Sequence, residues 1–335
     1  VYSNLSLAVE EDPTLYPARL KLGQLLLLNK AYPSAREHAD AILAAEPENV
    51  DAIVLLAGVN LREGNSDAAQ AEAQRALALR AGDPGATSIL VSVYRESDPD
   101  KALSIVNQSL EVESVSALKL LKIQLLGARG DIDEVVELLK ELTEDEPENM
   151  AYWSMLTKIL VQSGKIEEAD AITRKAVESQ PDNIQIKLWR TQFVATQKSA
   201  EEAKAVLEGF IEESPESYEL RFALAKLQMA MQEPDAAKAT YEAIIALDGE
   251  AADSIRARNG LIELAIKANQ RDEVERLLAE IFELEPDNGE ALRTRAKLSV
   301  IDKDIDSAIA DLRTVLRNDP QSVETLLLIA RAYEA

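Results

Sequence analysis

Histidine, the side chain best suited to move protons near neutral pH, occurs once in this 335-residue chain, at His38. Standing alone on a predicted helix, it reads as a surface or packing residue and not as a catalyst. Cysteine is absent, which excludes disulfides, thiolate nucleophiles and zinc–thiolate clusters. Carboxylates abound, with adjacent pairs at Glu167–Glu168, Glu201–Glu202 and Glu212–Glu213. On acidic amphipathic helices such pairs form solvated faces. No Gly-Lys phosphate loop, metalloprotease His pair, serine-hydrolase elbow or Gly-rich dinucleotide turn is present. The chain is therefore predicted to have no catalytic activity, no cofactor and no metal site of its own. Asn4 and Asn107 each open an N-x-S triplet, but both fall on predicted helices and are read as chance matches rather than glycosylation sites.

Composition sets the class of structure that must carry these residues. Apolar residues make up 47% of the chain but aromatics only 4%, while charged residues reach 29%. Such a content of Ala, Leu and Glu disfavours strands and predicts an all-helical protein. The net charge of −24 disfavours nucleic acid and anionic membranes as partners, because both repel an acidic surface. No apolar run approaches the length of about 18 residues that would span a bilayer, so no membrane insertion of this segment is expected. The absence of Cys is in keeping with a bacterial or exported protein. The chain opens at Val1 without a signal peptide, and we expect a fragment of a longer protein.

A phrase recurs along the chain: "EPEN" at 46–49 and 146–149, "QPDN" at 180–183 and "EPDN" at 285–288. Among Pro13, Pro47, Pro147, Pro181, Pro215, Pro286 and Pro320, four of the six intervals are 34 residues. The others resolve into near-34 steps if Ala81, Ser114 and Gly249 stand in for proline. A fixed period of this size means a stacked array of similar units. Twelve residues before each marker lie Ala35, Ala69, Ala102, Val135, Ala169, Ala203, Ala237, Val274 and Ala308, a position held small as close helix crossing requires. One helical turn on, the series Ala39, Ala73, Val106, Leu139, Thr173, Leu207, Tyr241, Leu278 and Leu312 is mostly apolar.

Two residues after each marker come Asn49, Asp83, Ser116, Asn149, Asn183, Ser217, Ala251, Asn288 and Ser322. All but Ala251 are good N-cap residues, whose side-chain oxygens accept from orphan amides at about 1 kcal/mol each. Proline ends one helix and Asn starts the next, so the phrase is punctuation. At Ala251, Asp253 or Asp248 is the substitute cap. Irregular stacking is expected at 247–254 and at 81–86.

The 34-residue helix-turn-helix unit, with small residues at its crossing and a terminal proline, resembles the tetratricopeptide repeat. Residues 150–183 match best, with Trp153 at the family's first aromatic position, Gly164 at the turn, Ala169 and Ala176 at small positions and Pro181 at the end. Leu22–Gly23 supplies the family's Leu-Gly pair, and "GKIEEA" and "GNSDAA" resemble its turn phrase. The resemblance implies an all-α, right-handed α-solenoid (a superhelix) of about nine repeats. We expect a single solenoid over 1–335: a half-repeat at 1–15, nine repeats of 33–37 residues over 16–322, and a half-repeat at 323–335. Cut ends of this kind suggest self-association through exposed Leu327, Leu328 and Ile329.

The resemblance also implies a concave groove lined by the first helix of each pair. Carried over through the proline register, the groove positions in the first half are Leu20, Gln24, Leu27, Val54, Leu61, Val91, Tyr94, Leu120 and Gln124, largely apolar or neutral. In the second half they are Lys158, Phe222, Lys226, Arg256, Lys267, Arg293, Lys297 and Arg331, interleaved with Glu219, Glu263, Glu290 and Glu324. Two readings follow. Either the cations form ion pairs with those Glu neighbours, or the apolar half takes a helix or hydrophobic peptide and the basic half takes carboxylates. The Lys/Asn/Arg clamp that co-chaperone members use on a carboxylate tail is absent, since Leu20, Gln24 and Leu55 stand in its first places.

The function these features predict is a scaffold or adaptor that binds protein or peptide partners. The Ala-, Glu- and Asp-rich style without Cys is similar to bacterial members of the family, periplasmic or lipid-anchored, that serve secretion, polysaccharide export or envelope proteases. The alternatives are a cytoplasmic protein, and a substrate-recruiting arm of a larger enzyme whose catalytic domain lies outside this chain.

Overall fold

The computed structural model describes residues 1–247 and 252–334, and among these the chain is helical with no strand. Gly249, Asp248 and Ala251, invoked above as a marker and as cap positions, lie outside the described residues. The chain divides into two compact units, Val1–Ile172 and Thr173–Ala335. The first unit opens with α1 (Tyr2–Glu11). Helix pairs follow: α2 (Tyr16–Leu28) with α3 (Tyr32–Ala45), and α4 (Val50–Arg62) with α5 (Ser66–Leu79). Next come α6 (Pro84–Tyr94) with α7 (Pro99–Val112), α8 (Ser116–Arg129) with α9 (Ile132–Asp145), and α10 (Met150–Gln162). The division falls within α11 (Ile166–Ser179). The second unit continues with α12 (Ile184–Gln197) and α13 (Ala200–Glu213), then α14 (Tyr218–Ala230) and α15 (Pro234–Leu247). It is completed by α16 (Ala252–Lys267) with α17 (Arg271–Leu284), α18 (Gly289–Ile301) with α19 (Ile305–Asn318), and α20 (Val323–Glu334). Each unit is a helical solenoid of antiparallel pairs.

The small residues do what their spacing predicts. The series from Ala35 to Ala308 is buried throughout, never more than 1% exposed. Gly23 serves the same end on α2: a Cβ there would stand 2.5 Å from Leu55 Cδ2 and 3.3 Å from His38 Cβ. Glycine thus lets α2 meet α3 and α4 at once. The position one turn after the small residue is equally buried except at Tyr241, which is half-buried.

The recurring phrase closes on itself. Asn49 accepts from the Ala52 amide at 3.0 Å while its own amide group donates to Glu46 at 2.7 Å. Asn149 with Glu146, Asn183 with Gln180, and Asn288 with Glu285 repeat the arrangement. The residue before proline thus steadies the Asn that caps the following helix. The carbonyl of the proline finds its own donor six residues on: Arg19 for Pro13, Trp153 for Pro147 and Arg221 for Pro215, at 2.6, 2.8 and 2.8 Å. Two chemically different side chains, arginine and tryptophan, do one job, so this position need not be aromatic. Asp83 and Ser217 also cap as expected. Ser116 does not: α8 begins at that residue, Val115 precedes it without a side-chain cap, and the Ser116 hydroxyl turns to Glu146. Ser322 pairs its hydroxyl with Thr325, and Asp253 lies inside the first turn of α16 instead of ahead of it.

Seven of the turns within pairs pass through a residue of positive φ: Lys30, Gly64, Gly130, Gly164, Gln232, Asn269 and Lys303. In each, the amide one residue further on bonds back to the carbonyl five residues earlier, as Ala31 does to Leu26 and Glu233 to Gln228, both at 2.9 Å. This 6→1 closure satisfies the carbonyls left over where the first helix stops. Hence repeats without glycine keep the same turn.

At 81–86, where irregular stacking was expected, Gly82 takes φ +78° against Val112 and Pro84 opens α6. At the far end, Leu326 and Leu327 are exposed, whereas Leu328 and Ile329 pack on the core of Ala296, Ala308 and Leu312. The exposed set proposed for self-association is corrected accordingly, because helical periodicity turns Leu328 and Ile329 inward.

Candidate functional site

First helices touch the first helix of the next pair: α2 meets α4, α4 meets α6 and α6 meets α8 in one unit, α12 meets α14 and α18 meets α20 in the other. Among the described residues, successive second helices make no contact as extensive. The first helices therefore form the inner wall of each unit, and the predicted groove residues all belong to first helices.

In the first unit, Gln24 and Leu27 of α2 and Val54 and Leu61 of α4 border a single hollow of about 270 Å3, closed on the third side by Ser88, Ile89 and Ser92 of α6. Val91 and Gln124 border a second hollow of about 500 Å3 between α6 and α8, with Leu121 and Leu125 as its apolar wall. Leu20 and Leu120 are half-buried on α2 and α8 and border neither hollow. Tyr94 is no groove residue in geometry: it is buried, in the core cluster of α4 to α8, with the Lys101 ammonium 4.0 Å from its ring centroid. Lys158 stands exposed on α10, without an ion pair among the described residues.

In the second unit the aromatic and the cations assort differently from the expectation of one basic strip. Phe222 is buried, covered by the Arg256 guanidinium 3.9 Å from its centroid and tilted against Tyr241 at 6.3 Å. Burial pushes the Tyr241 hydroxyl pKa up, and the charge of Glu263 adds to it while Arg256 opposes. Lys226 is exposed on α14; Lys267 and Arg331 are exposed in the last turns of α16 and α20, where a cation suits the helix dipole. Arg293 and Lys297 converge on one carboxylate: Arg293 Nε lies 3.4 Å from Glu324 Oε2 and Lys297 Nζ 3.2 Å from Glu324 Oε1. They share a hollow of about 390 Å3 with Glu263 and Glu290. For these two cations, internal pairing is the arrangement found.

Two sets of residues escaped the sequence reading. The first is the apolar share of this hollow, Ile262, Ile266 and Ile301. Its signal was available, since 259, 262, 263 and 266 make an i, i+3, i+4, i+7 stripe. The second is a group of buried cations. Lys119 of α8 reaches Asp145 and Glu141 at 2.7 and 2.9 Å, and Lys187 of α12 reaches Glu213 at 3.1 Å. Burial lowers the Lys119 pKa, and the two carboxylates outweigh it, so the net shift is upward. Each is the fourth residue of its helix, the place Trp153 holds in α10.

The sequence profile of the tetratricopeptide repeat matches residues 126–192 and 195–253, and a second profile of the same description matches 20–86. Together they span more than half of the chain. The chain is a multi-repeat tetratricopeptide-repeat protein. Proteins of this kind are usually non-catalytic interaction scaffolds, and their fold binds protein or peptide partners. Solved structures of similar fold include yeast Tom70, at 14% identity and a TM-score of 0.45 over 99% of this chain and 91% of that one. Another is Naa15/Naa10 bound to HypK-THB, at 15% and 0.41, covering 96% of this chain. The chain spans 61% of the length of that protein. A thermophilic tetratricopeptide-repeat protein of Thermus thermophilus is similar at 22% and 0.38, over 54% of this chain and 99% of that one. Comparison with curated proteins gives no sequence match. Among the described residues, no helix is long and apolar enough to cross a membrane.

Proposed function

We propose that this tetratricopeptide-repeat protein is a scaffold without chemistry of its own, whose inner walls each hold a segment of a partner protein. The observation that carries the reading is the hollow spanning α2, α4 and α6. There three successive first helices place aliphatic carbons beside the uncharged polar groups of Gln24, Ser88 and Ser92, with the charged Asp51 and Arg62 also bordering the hollow. Such a wall offers burial to apolar side chains and hydrogen bonds to a peptide backbone. Nothing in it resembles a nucleophile beside a base.

The test is position-resolved. A photo-crosslinking residue is placed at Leu61, inside the hollow, or at Ala78, on the exposed face of α5, in cells of the source organism. A discrete adduct from 61 and none from 78 is the expected result. Adducts from 78 alone would overturn the inner-wall reading. We further propose a bacterial envelope location, in the periplasm or anchored at the outer membrane within a secretion, polysaccharide-export or protease complex. This reading is supported by the Cys-free, acidic, Ala-rich composition. Recovery of the full-length protein wholly in the cytosolic fraction would reject it.

A further inference from the structure

We propose that the hollow across α16, α18 and α20 receives a basic–apolar segment of the partner, a Lys or Arg with an aliphatic or aromatic residue about five positions away. The proposal rests on the scaffold reading above and names the chemistry of its occupant in the second unit.

Charge decides the sign. Two cations and three carboxylates border the hollow. Glu324 pairs with both Arg293 and Lys297, so the three together keep one net positive charge, with Lys297 half exposed. Glu263 and Glu290 have no cation within ion-pair distance among the described residues; Glu290 accepts only from the neutral amide of Asn259, at 2.7 Å. With Glu263 and Glu290 the hollow is left one charge negative, so an incoming carboxylate would compete with Glu324 for its cations and add to that excess, in a chain whose net charge is −24. An incoming ammonium or guanidinium meets those charges unpaired, and the overall field of the chain steers it inward.

Shape supplies the other half. Ile266 is 46% exposed and Ile301 71% exposed, and both border the same hollow. Glu290 and Ile301 stand at opposite ends of the inner face of α18, about 16 Å apart along the axis at the usual helical rise. An extended peptide covers that span in about five residues. The same stretch of wall that holds the carboxylates thus offers an uncovered apolar seat at peptide distance.

The experiment uses the full chain and three capped, dye-labelled nine-residue peptides with Ser and Gly elsewhere. One carries two Arg near its start and two Leu five residues on; one has Glu in place of Arg; one has Ser in place of Leu. Binding is read by fluorescence anisotropy at roughly 0.15 M salt, where long-range fields are screened. We expect the Arg–Leu peptide to bind about tenfold more tightly than either control. The pair Glu263→Gln with Glu290→Gln should weaken it about fivefold. The pair Glu201→Gln with Glu212→Gln on α13 makes the same change of net charge on exposed sites elsewhere, and should leave it within about twofold. Ile301→Ser should weaken the Arg–Leu peptide and leave the Arg–Ser peptide unchanged. The proposal is overturned if the Glu–Leu peptide binds best, if both Gln pairs act equally, or if no peptide binds. A crosslink from Leu61 would still stand in any of those cases, so failure here is distinguishable from failure of the scaffold reading.

Discussion

The ammonium of Lys187 lies 3.1 Å from Glu213 Oε2, at the end of a side chain that is only 2% exposed. Its stem runs through the core of the α12–α13 pair. Its head lies buried against the last turn of α13, where it also donates to Ser214 at 3.1 Å and stands 5.4 Å from the Phe210 centroid. Glu213 is mostly in water, so the ion pair itself is worth little; the buried stem carries the stabilisation. Replacing Lys187 by Met keeps the stem and removes the cost of desolvating a charge. Lys187→Met is therefore expected to lie within about 1 kcal/mol of the parent, while Lys187→Ala loses about 2–3 kcal/mol as a large-to-small core change. Urea unfolding followed by circular dichroism checks the contrast. An equal loss in both variants would show that the charge, and not the stem, matters.

Four turns hold a non-glycine residue in the left-handed region: Lys30, Gln232, Asn269 and Lys303, at φ 56–64°. For a residue with a Cβ this conformation costs about 1 kcal/mol, less for Asn, and glycine removes the cost. Gln232 is exposed and its turn is closed by the Glu233–Gln228 bond. Gln232→Gly and Lys303→Gly are each expected to raise stability by about 0.5–1 kcal/mol. Asn269→Gly should give less, because Asn tolerates the region. A thermal shift downward in all three would contradict the turn assignment.

His38 gives the protein a mild acid sensitivity. Its Nδ1 is buried without a hydrogen-bond partner, and its Cβ lies against Gly23. Burial, helped by the charge of Arg19 and opposed by Glu37, holds its pKa below the ordinary 6.5. The unfolded chain then binds a proton that the folded chain refuses, so stability rises with pH and falls as pH drops below about 6.5 towards the folded value. Carboxylates such as Asp133, held down by its bond to Lys165, enter only at more acid pH. The melting temperature should fall between pH 7 and pH 5.5 in the parent protein and fall less in His38→Gln. Identical pH profiles would remove His38 from the account.

The array was legible in the sequence because each helix crossing imposes the same demand for a small side chain and each junction the same demand for a cap. Ala35 and Asn49 could be read without coordinates for that reason. Ser116 misled because its repeat lacks the proline, and α8 begins one residue early. The inner wall was legible as a set of positions: Gln24, Leu27, Val54 and Leu61 do meet. Whether a wall residue stands open was not, because its competitor lies in another repeat. Arg293 and Lys297 are occupied by Glu324, about one period downstream. Tyr94 was drawn inward because α6 stops there and Lys101 covers its ring. Lys187 took a core place that polarity alone would have assigned to the surface.

The acid-Pro-acid-Asn phrase makes a local prediction that its repetition allows to be tested twice. At 46–49 and at 285–288 the Asn oxygen accepts from the third amide on, and its nitrogen donates to the preceding Glu. Asn49→Ala removes both bonds and exposes the orphan amides of the first turn of α4, at a cost of about 1 kcal/mol. Glu46→Ala removes only the bond to the Asn side-chain nitrogen, on an exposed pair, and should cost no more than about 0.5 kcal/mol. In a repeat array each unit contacts chiefly its neighbours, so the loss stays near the site. Amide hydrogen exchange is therefore the suitable measurement. Faster exchange at Ile53 and the adjacent amides of α4 in Asn49→Ala, with α9 unchanged, is the expected pattern. Asn288→Ala should do the same at the start of α18. Acceleration spread evenly over both units would mean that the phrase governs global folding and not the start of a single helix.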